Sequence, residues 1–247
     1  MWAVWSLVLI WSCPTSAWLS WFSSAPSDPT PVTVSCKDQD NNNVDWYILY
    51  KAPNSLNSIY IDSEGKKFSS SNSLKPISDK DGVLANTLRP MFSAVRKMPV
   101  GFGFLSYNDQ PPGAQAKYKQ FGHSKGVVMG DSGSEKALWL IATPPQFPFR
   151  RNQDHFWPES GYVNGQIFMC VSLPFSALLN VGKHLQNIRA YPFDYDLPTT
   201  FPQELRDAAD WKQSQSLWGK FQEMKTINEK ELKLMAKPVA QTAGGEE

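Results

Sequence analysis

Residues 126–142 constrain the fold most. Gly126–Gly130 (GVVMG) and Ala137–Ala142 (ALWLIA) are short apolar runs, separated by the hairpin-length stretch Asp131–Lys136. Runs this short, β-branched or aromatic and bounded by Gly, Ser and Asp, read as strands. A link so brief pairs them as a hairpin in a sheet. Further strands are expected at Val32–Cys36, Val44–Tyr50, Ile59–Asp62, Phe102–Asn108 and Gly165–Leu173, with an aromatic, extended piece at Ile188–Leu197. Apolar residues Val83, Leu84, Leu88, Met91, Phe92 and Val95 have helical spacing within Val83–Lys97, and Pro90 must kink or split that helix. A short helix is expected over Phe175–Leu185. Lys66–Ser78 reads as an exposed polar loop and Thr143–Pro158 as irregular. Leu217, Trp218, Phe221, Met224, Ile227 and Met235 place an apolar stripe at 3–4 spacing in a charged segment, which predicts a helical segment over 201–237. The fold class is therefore α/β (α+β mixed), with a central mixed β-sheet flanked by helices.

Just ahead of the hairpin stands Gly122-His123-Ser124-Lys125-Gly126. In extended backbone His123 and Lys125 share a face, because side chains alternate with period 2. A titratable nucleophile beside a fixed cation suits phosphate chemistry. Lys117, Lys119, Lys136, Arg150 and Arg151 are the further candidates for phosphate contacts, with Tyr118 and Phe121 interleaved as stacking surfaces. Asp131 either orients this group or serves as a turn aspartate. Trp46, Trp139 and Trp157 read as core or sheet residues. No Walker-type glycine loop, zinc-spaced His/Cys/Asp cluster or Gly-x-Ser-x-Gly elbow occurs, so no metal or cofactor is expected.

Charge decides little about partners at neutral pH, since the formal net value is +1. Protonating three histidines with reference pKa near 6.5 would bring it to about +4 at pH 5, which favours an anionic partner in acid. The first 25 residues carry no charge, and Trp2–Trp11 is a short apolar run followed by Pro14-Thr15-Ser16-Ala17. This reads as a signal peptide and leader over residues 1–25, cut near Ala17 or Ala25, leaving no membrane segment. Cys13 would leave with it. Cys36 and Cys170 remain and are expected to form one disulfide in an oxidising compartment, enclosing the His-Ser-Lys stretch. The body spans 32–200 and a disordered tail is expected over 238–247.

Several pieces then fall in one order. Val44-Asp45-Trp46 and Tyr50-Lys51-Ala52-Pro53 follow Cys36; Tyr107-Asn108-Asp109 precedes Gly122–Gly126. Leu138-Trp139-Leu140-Ile141, Pro145-Gln146-Phe147-Pro148, Asn164-Gly165-Gln166 and Cys170-Val171-Ser172 complete the set. From about Cys36 to Leu197 the chain resembles the deoxyribonuclease II family of acid endonucleases. The resemblance implies a phospholipase D-like sandwich and a lysosomal or extracellular location. It also implies metal-free hydrolysis of DNA that leaves 3′-phosphate ends, with His123 and Lys125 as one catalytic pair. In that superfamily two His-x-Lys motifs meet: one histidine attacks phosphorus, the other protonates the leaving oxygen, and the lysines hold phosphate oxygens. These 247 residues carry one such motif, since His155 and His184 are not followed by lysine two residues on. Ala142-Thr143 also stands where the family commonly has His-Ser. Three readings stay open: a truncated product, a homodimer in which a second copy completes the site, and a non-catalytic relative that binds DNA.

Overall fold

The computed structural model describes residues 32–113, 121–212, 214 and 219–236. The signal and leader, Lys117, Tyr118, Lys119, Leu217, Trp218 and the tail over 238–247 lie outside them. In chain order the strands are β1 Cys36–Lys37, β2 Asn43–Val44, β3 Trp46–Lys51, β4 Ser58–Asp62, β5 Lys67–Ser69, β6 Phe102–Asn108, β7 Lys125–Asp131, β8 Lys136–Ala142, β9 Gln166–Pro174, β10 Pro192–Asp196, β11 Phe221–Lys225 and β12 Glu231–Met235. The α-helices are α1 Val83–Leu88, α2 Leu178–Asn187 and α3 Gln203–Ala209.

Eight strands form one sheet in the order β10-β6-β7-β8-β9-β3-β4-β5. Every pairing in it is antiparallel, so the sheet is not mixed as expected. The reason lies in the connections: β7–β8 and β3–β4 are hairpins, and the short helices never return the chain as parallel crossovers. The α+β sandwich class itself holds. β6 and β7 are buried at all seven positions and β8 at five of seven, which explains their near-continuous apolar runs. β3 alternates buried and open residues.

Two cores flank the sheet. One holds Tyr47, Leu49, Phe104, Val127, Met129, Leu140, Phe168 and Cys170 beneath α1 and the segment bearing Phe147 and Phe156. The other holds Leu105, Val128, Trp139 and Val171 beneath α2, α3 and Met224. Cys36 and Cys170 are joined as expected, their Cα atoms 5.9 Å apart and 134 positions apart in sequence.

Pro90 splits the expected helix into α1 and a 3-10 turn at Arg89–Met91, with another at Val95–Lys97. Lys66–Ser78 is less open than expected: it contributes β5 and buries Leu74 and Ile77. Only the end of Val32–Cys36 joins a strand, pairing with β2. The helical segment over 201–237 is corrected most. After α3 the chain forms the β11–β12 hairpin. Its turn is tied to the sheet by Asp45, which accepts from Thr226 Oγ1 at 2.7 Å and from the Asn228 amide at 3.1 Å. Glu229 adopts the left-handed backbone of a turn at φ 63°. Met224 points inward while Phe221 and Met235 are exposed, so the stripe is divided between the two faces of a ribbon. Among the described residues no helix is long and apolar enough to cross a membrane.

Candidate active site

β6 and β7 bring the site together. Their register sets Asn108 opposite Lys125, so Asp109 leaves β6 beside the residues that enter β7. Asp109 Oδ1 lies 2.5 Å from Lys125 Nζ and Oδ2 lies 2.7 Å from His123 Nδ1. Lys125 Nζ and His123 Nδ1 are 3.5 Å apart. His123 and Lys125 are thus brought together as predicted, with one carboxylate bridging them.

Exposure divides the roles. The side chains of Lys125 and Asp109 are 3% and 7% exposed, whereas that of His123 is 79% exposed. An ionised carboxylate only accepts, so Nδ1 is the protonated ring nitrogen and Nε2 is free for chemistry. Lys125 spends its charge on Asp109 inside the protein and does not offer it to solvent. Among the described residues no group of three or more His, Cys, Asp or Glu could hold a metal ion.

Both glycines of Gly122–Gly126 are required by close approach. A Cβ on Gly122 would collide with the Ile188 carbonyl oxygen, and one on Gly126 with the Leu140 carbonyl and the Tyr107 ring. The Gly122 amide donates to Arg189 O at 2.9 Å, which seats the loop. Phe121 packs edge-on against Tyr191 and Trp211, with ring centres 4.6 and 5.7 Å away.

His123 opens into a cleft of about 480 Å³ across the ends of β8, β9 and β3, lined also by Tyr50, Gln110, Thr143, Asn164 and Gln166. Thr143 Oγ1 donates to Gln166 Oε1 at 2.6 Å and accepts from the Ile167 amide at 2.9 Å. It is held as part of the cleft wall.

The remaining candidates disperse. Arg151 lies 3.3 Å from Asp194, donates to Ser93 O and stacks 5.0 Å from the Phe104 ring. It ties β10 and β6 to the loop below. Arg150 is exposed beside the Phe149 ring. Lys136 and Asp131 sit at the far end of the hairpin, where Asp131 accepts from the Ser134 amide at 2.9 Å, a turn aspartate. His155 is exposed and contacts Asn152 Oδ1 at 3.2 Å. His184 lies on α2 against Trp139, ring centres 5.5 Å apart. Burial pushes its pKa down to about 4. At pH 5 it therefore stays neutral and does not join the acid charge count expected from sequence.

Asp109 is the partner of the His-Lys pair that the motif did not reveal. Its signal was the Tyr107-Asn108-Asp109 step at the end of a strand, which gains meaning only once the β6–β7 register is known.

The deoxyribonuclease II family profile matches residues 35–242. Deoxyribonuclease-2-alpha of Rattus norvegicus is 34% identical over 187 residues, covering 70% of this chain and 51% of its own length. Plancitoxin-1 of Acanthaster planci is 32% identical over 69% of this chain and 49% of its own. Deoxyribonuclease-2-beta of Homo sapiens is 28% identical over 70% and 49%. The chain spans about half the length of these curated relatives. Its match to the profile runs from the residue before the first disulfide cysteine to beyond the terminal hairpin and includes the whole His123–Asp109–Lys125 group: the chain belongs to the deoxyribonuclease II family.

Proposed function

We propose that the chain supplies one His-x-Lys half of a deoxyribonuclease site that cleaves DNA phosphodiester bonds in acid without a metal. The observation that carries this reading is the Asp109 carboxylate, held between a buried lysine and an exposed histidine at the mouth of a cleft. Asp109 keeps the proton on Nδ1, so Nε2 can attack phosphorus or pass a proton. In the nucleophilic role, Nε2 bonds to phosphorus and the 5′ oxygen leaves, taking a proton from a second histidine. Water then breaks the phosphorus–nitrogen bond, leaving a 3′-phosphate.

Neither His155 nor His184 stands with His123, so the second histidine comes from outside these 247 residues, and a homodimer is one arrangement that supplies it. Lys125 acts through its pairing with Asp109. Phosphate contacts are left to the exposed Arg150, together with Lys117 and Lys119, which are proposed from sequence alone. A lysosomal or extracellular site of action is part of the same reading, and the buried Cys36–Cys170 disulfide is in keeping with an oxidising route. The second reading is a non-catalytic DNA-binding relative, favoured by the isolation of His123 from the other histidines.

Plasmid cleavage at pH 5 in EDTA separates the two. Nicking by the unmutated chain that is lost in His123→Ala, with DNA retention unchanged, supports catalysis. Retention of DNA with no nicking at any protein concentration supports the binding reading.

A further inference from the structure

The cleft beside His123 joins one aromatic wall to a set of carboxamides. Tyr50 supplies the wall. It stands at an open position of β3, 40% exposed, opposite Ile167 on one neighbouring strand and Ile59 on the other. Its ring leans toward Gly165: a Cβ there would stand 3.2 Å from Tyr50 Oη and 3.4 Å from a ring carbon. Bare backbone at 165 thus gives the ring room across the end of the sheet. Phe121, the stacking candidate read from sequence, is already taken up by Tyr191 and Trp211.

The carboxamides belong to Gln110, Asn164 and Gln166. Gln166 is the informative one, because it is 4% exposed and only half satisfied. Thr143 Oγ1 accepts from the Ile167 amide and so gives its single proton to Gln166 Oε1. The Gln166 amide nitrogen keeps its donors without a protein partner among the described residues. An unpaired donor at a buried side chain is costly until something in the cleft accepts from it. Among the described residues no Lys, Arg, Asp or Glu lines the cleft, and His123 alone can bring a positive charge to it.

We propose that this cleft is a subsite for one base of the DNA strand, from the nucleotide next to the phosphate that meets His123. The inference rests on the nuclease reading above and names what that site takes beside the reacting phosphate. The base stacks on the Tyr50 ring, and its edge meets the carboxamides of Gln110, Asn164 and Gln166. Three features select a base over another part of the strand. A second phosphate would find no cation in the lining. An open ring set between two isoleucines is a surface for a planar heterocycle, and stacking of this kind accepts any base. Carboxamides offer a donor and an acceptor side by side, the complement of base edges. The deoxyribose, which has neither a flat face nor such an edge, stays at the mouth with the phosphate.

The test is equilibrium binding and photo-cross-linking of the full chain at pH 5 in EDTA. The probes are a short single strand that is abasic except for one 5-iodouracil, and the same strand made fully abasic. Tyr50→Leu and Tyr50→Phe are compared with the unmutated protein. Tyr50 is open, so both variants should keep the near-UV circular dichroism of the fold. A cross-link mapped to Tyr50 by mass spectrometry supports the subsite when affinity also falls at least about fivefold in Tyr50→Leu and in the fully abasic strand, and is kept in Tyr50→Phe. A cross-link outside the cleft, no cross-link, or an affinity indifferent to both Tyr50→Leu and loss of the base overturns it. Plasmid nicking separates this proposal from the nuclease reading. Cross-linking at Tyr50 in a chain that never nicks DNA sinks catalysis and leaves the base subsite standing. Nicking that is lost in His123→Ala, yet keeps its KM in Tyr50→Leu, sinks the subsite and leaves catalysis standing.

Discussion

Asp109 joins two kinds of contact in one side chain. It compensates the buried charge of Lys125 and aligns the exposed ring of His123. These roles are separable. Asp109→Asn leaves a buried lysine without its counter-charge and should cost on the order of 3 kcal/mol of stability. The double variant Asp109→Asn/Lys125→Met should recover much of that in thermal melts, because the orphan charge is gone. Neither variant fixes the Nδ1 proton as a carboxylate does. Nuclease turnover in both should therefore fall at least about tenfold, measured on protein shown to be folded.

His184 gives a stability effect of opposite origin. Its folded pKa of about 4 lies below the ordinary histidine value, so the unfolded chain binds this proton first. Its contribution is full above pH 6.5 and is lost as pH falls from 6.5 toward 4, by up to about 3 kcal/mol. His184→Gln should flatten the melting temperature across that window, whatever it does to stability at pH 7. A curve as steep as that of the unmutated protein would refute this role.

At the scale of elements, legibility followed burial. β6, β7, β8 and β9 carry apolar runs because their middles are covered on both faces, and the sequence placed all four. The terminal hairpin was misread because its apolar residues are few, and 3–4 spacing in a charged segment does not distinguish a helix from a ribbon. What decides it is Asp45, remote in sequence, holding the turn at Thr226 and Asn228. The His-x-Lys motif was visible as a motif. Its carboxylate partner was not, because Asp109 meets His123 through strand register and not through spacing. The two motif glycines are equally non-local: each is needed by a backbone carbonyl from another element. Gly122→Ala should force the loop off Ile188 and Arg189 and lower the melting temperature by several degrees, the equivalent of about 1–3 kcal/mol. It should also displace His123, so turnover should fall further than stability alone explains.

For the whole molecule, the cross-link between Cys36 and Cys170 ties the start of the chain to the centre of the sheet. It encloses a loop of 134 positions, and its loss should cost about 2–5 kcal/mol. Cys36→Ala/Cys170→Ala should show this as an earlier denaturation midpoint with the same sheet signal. The bond also changes what a protease can do. Strands β2 through β8 and the loop carrying His123 all lie between the two cysteines. A single backbone cut anywhere in that interval leaves two pieces that stay covalently joined, each still paired with its neighbours in the sheet. Such a molecule would migrate intact on a gel without reductant and fall into fragments with it. In a compartment rich in proteases, a nicked chain would keep its site assembled for as long as the disulfide survives.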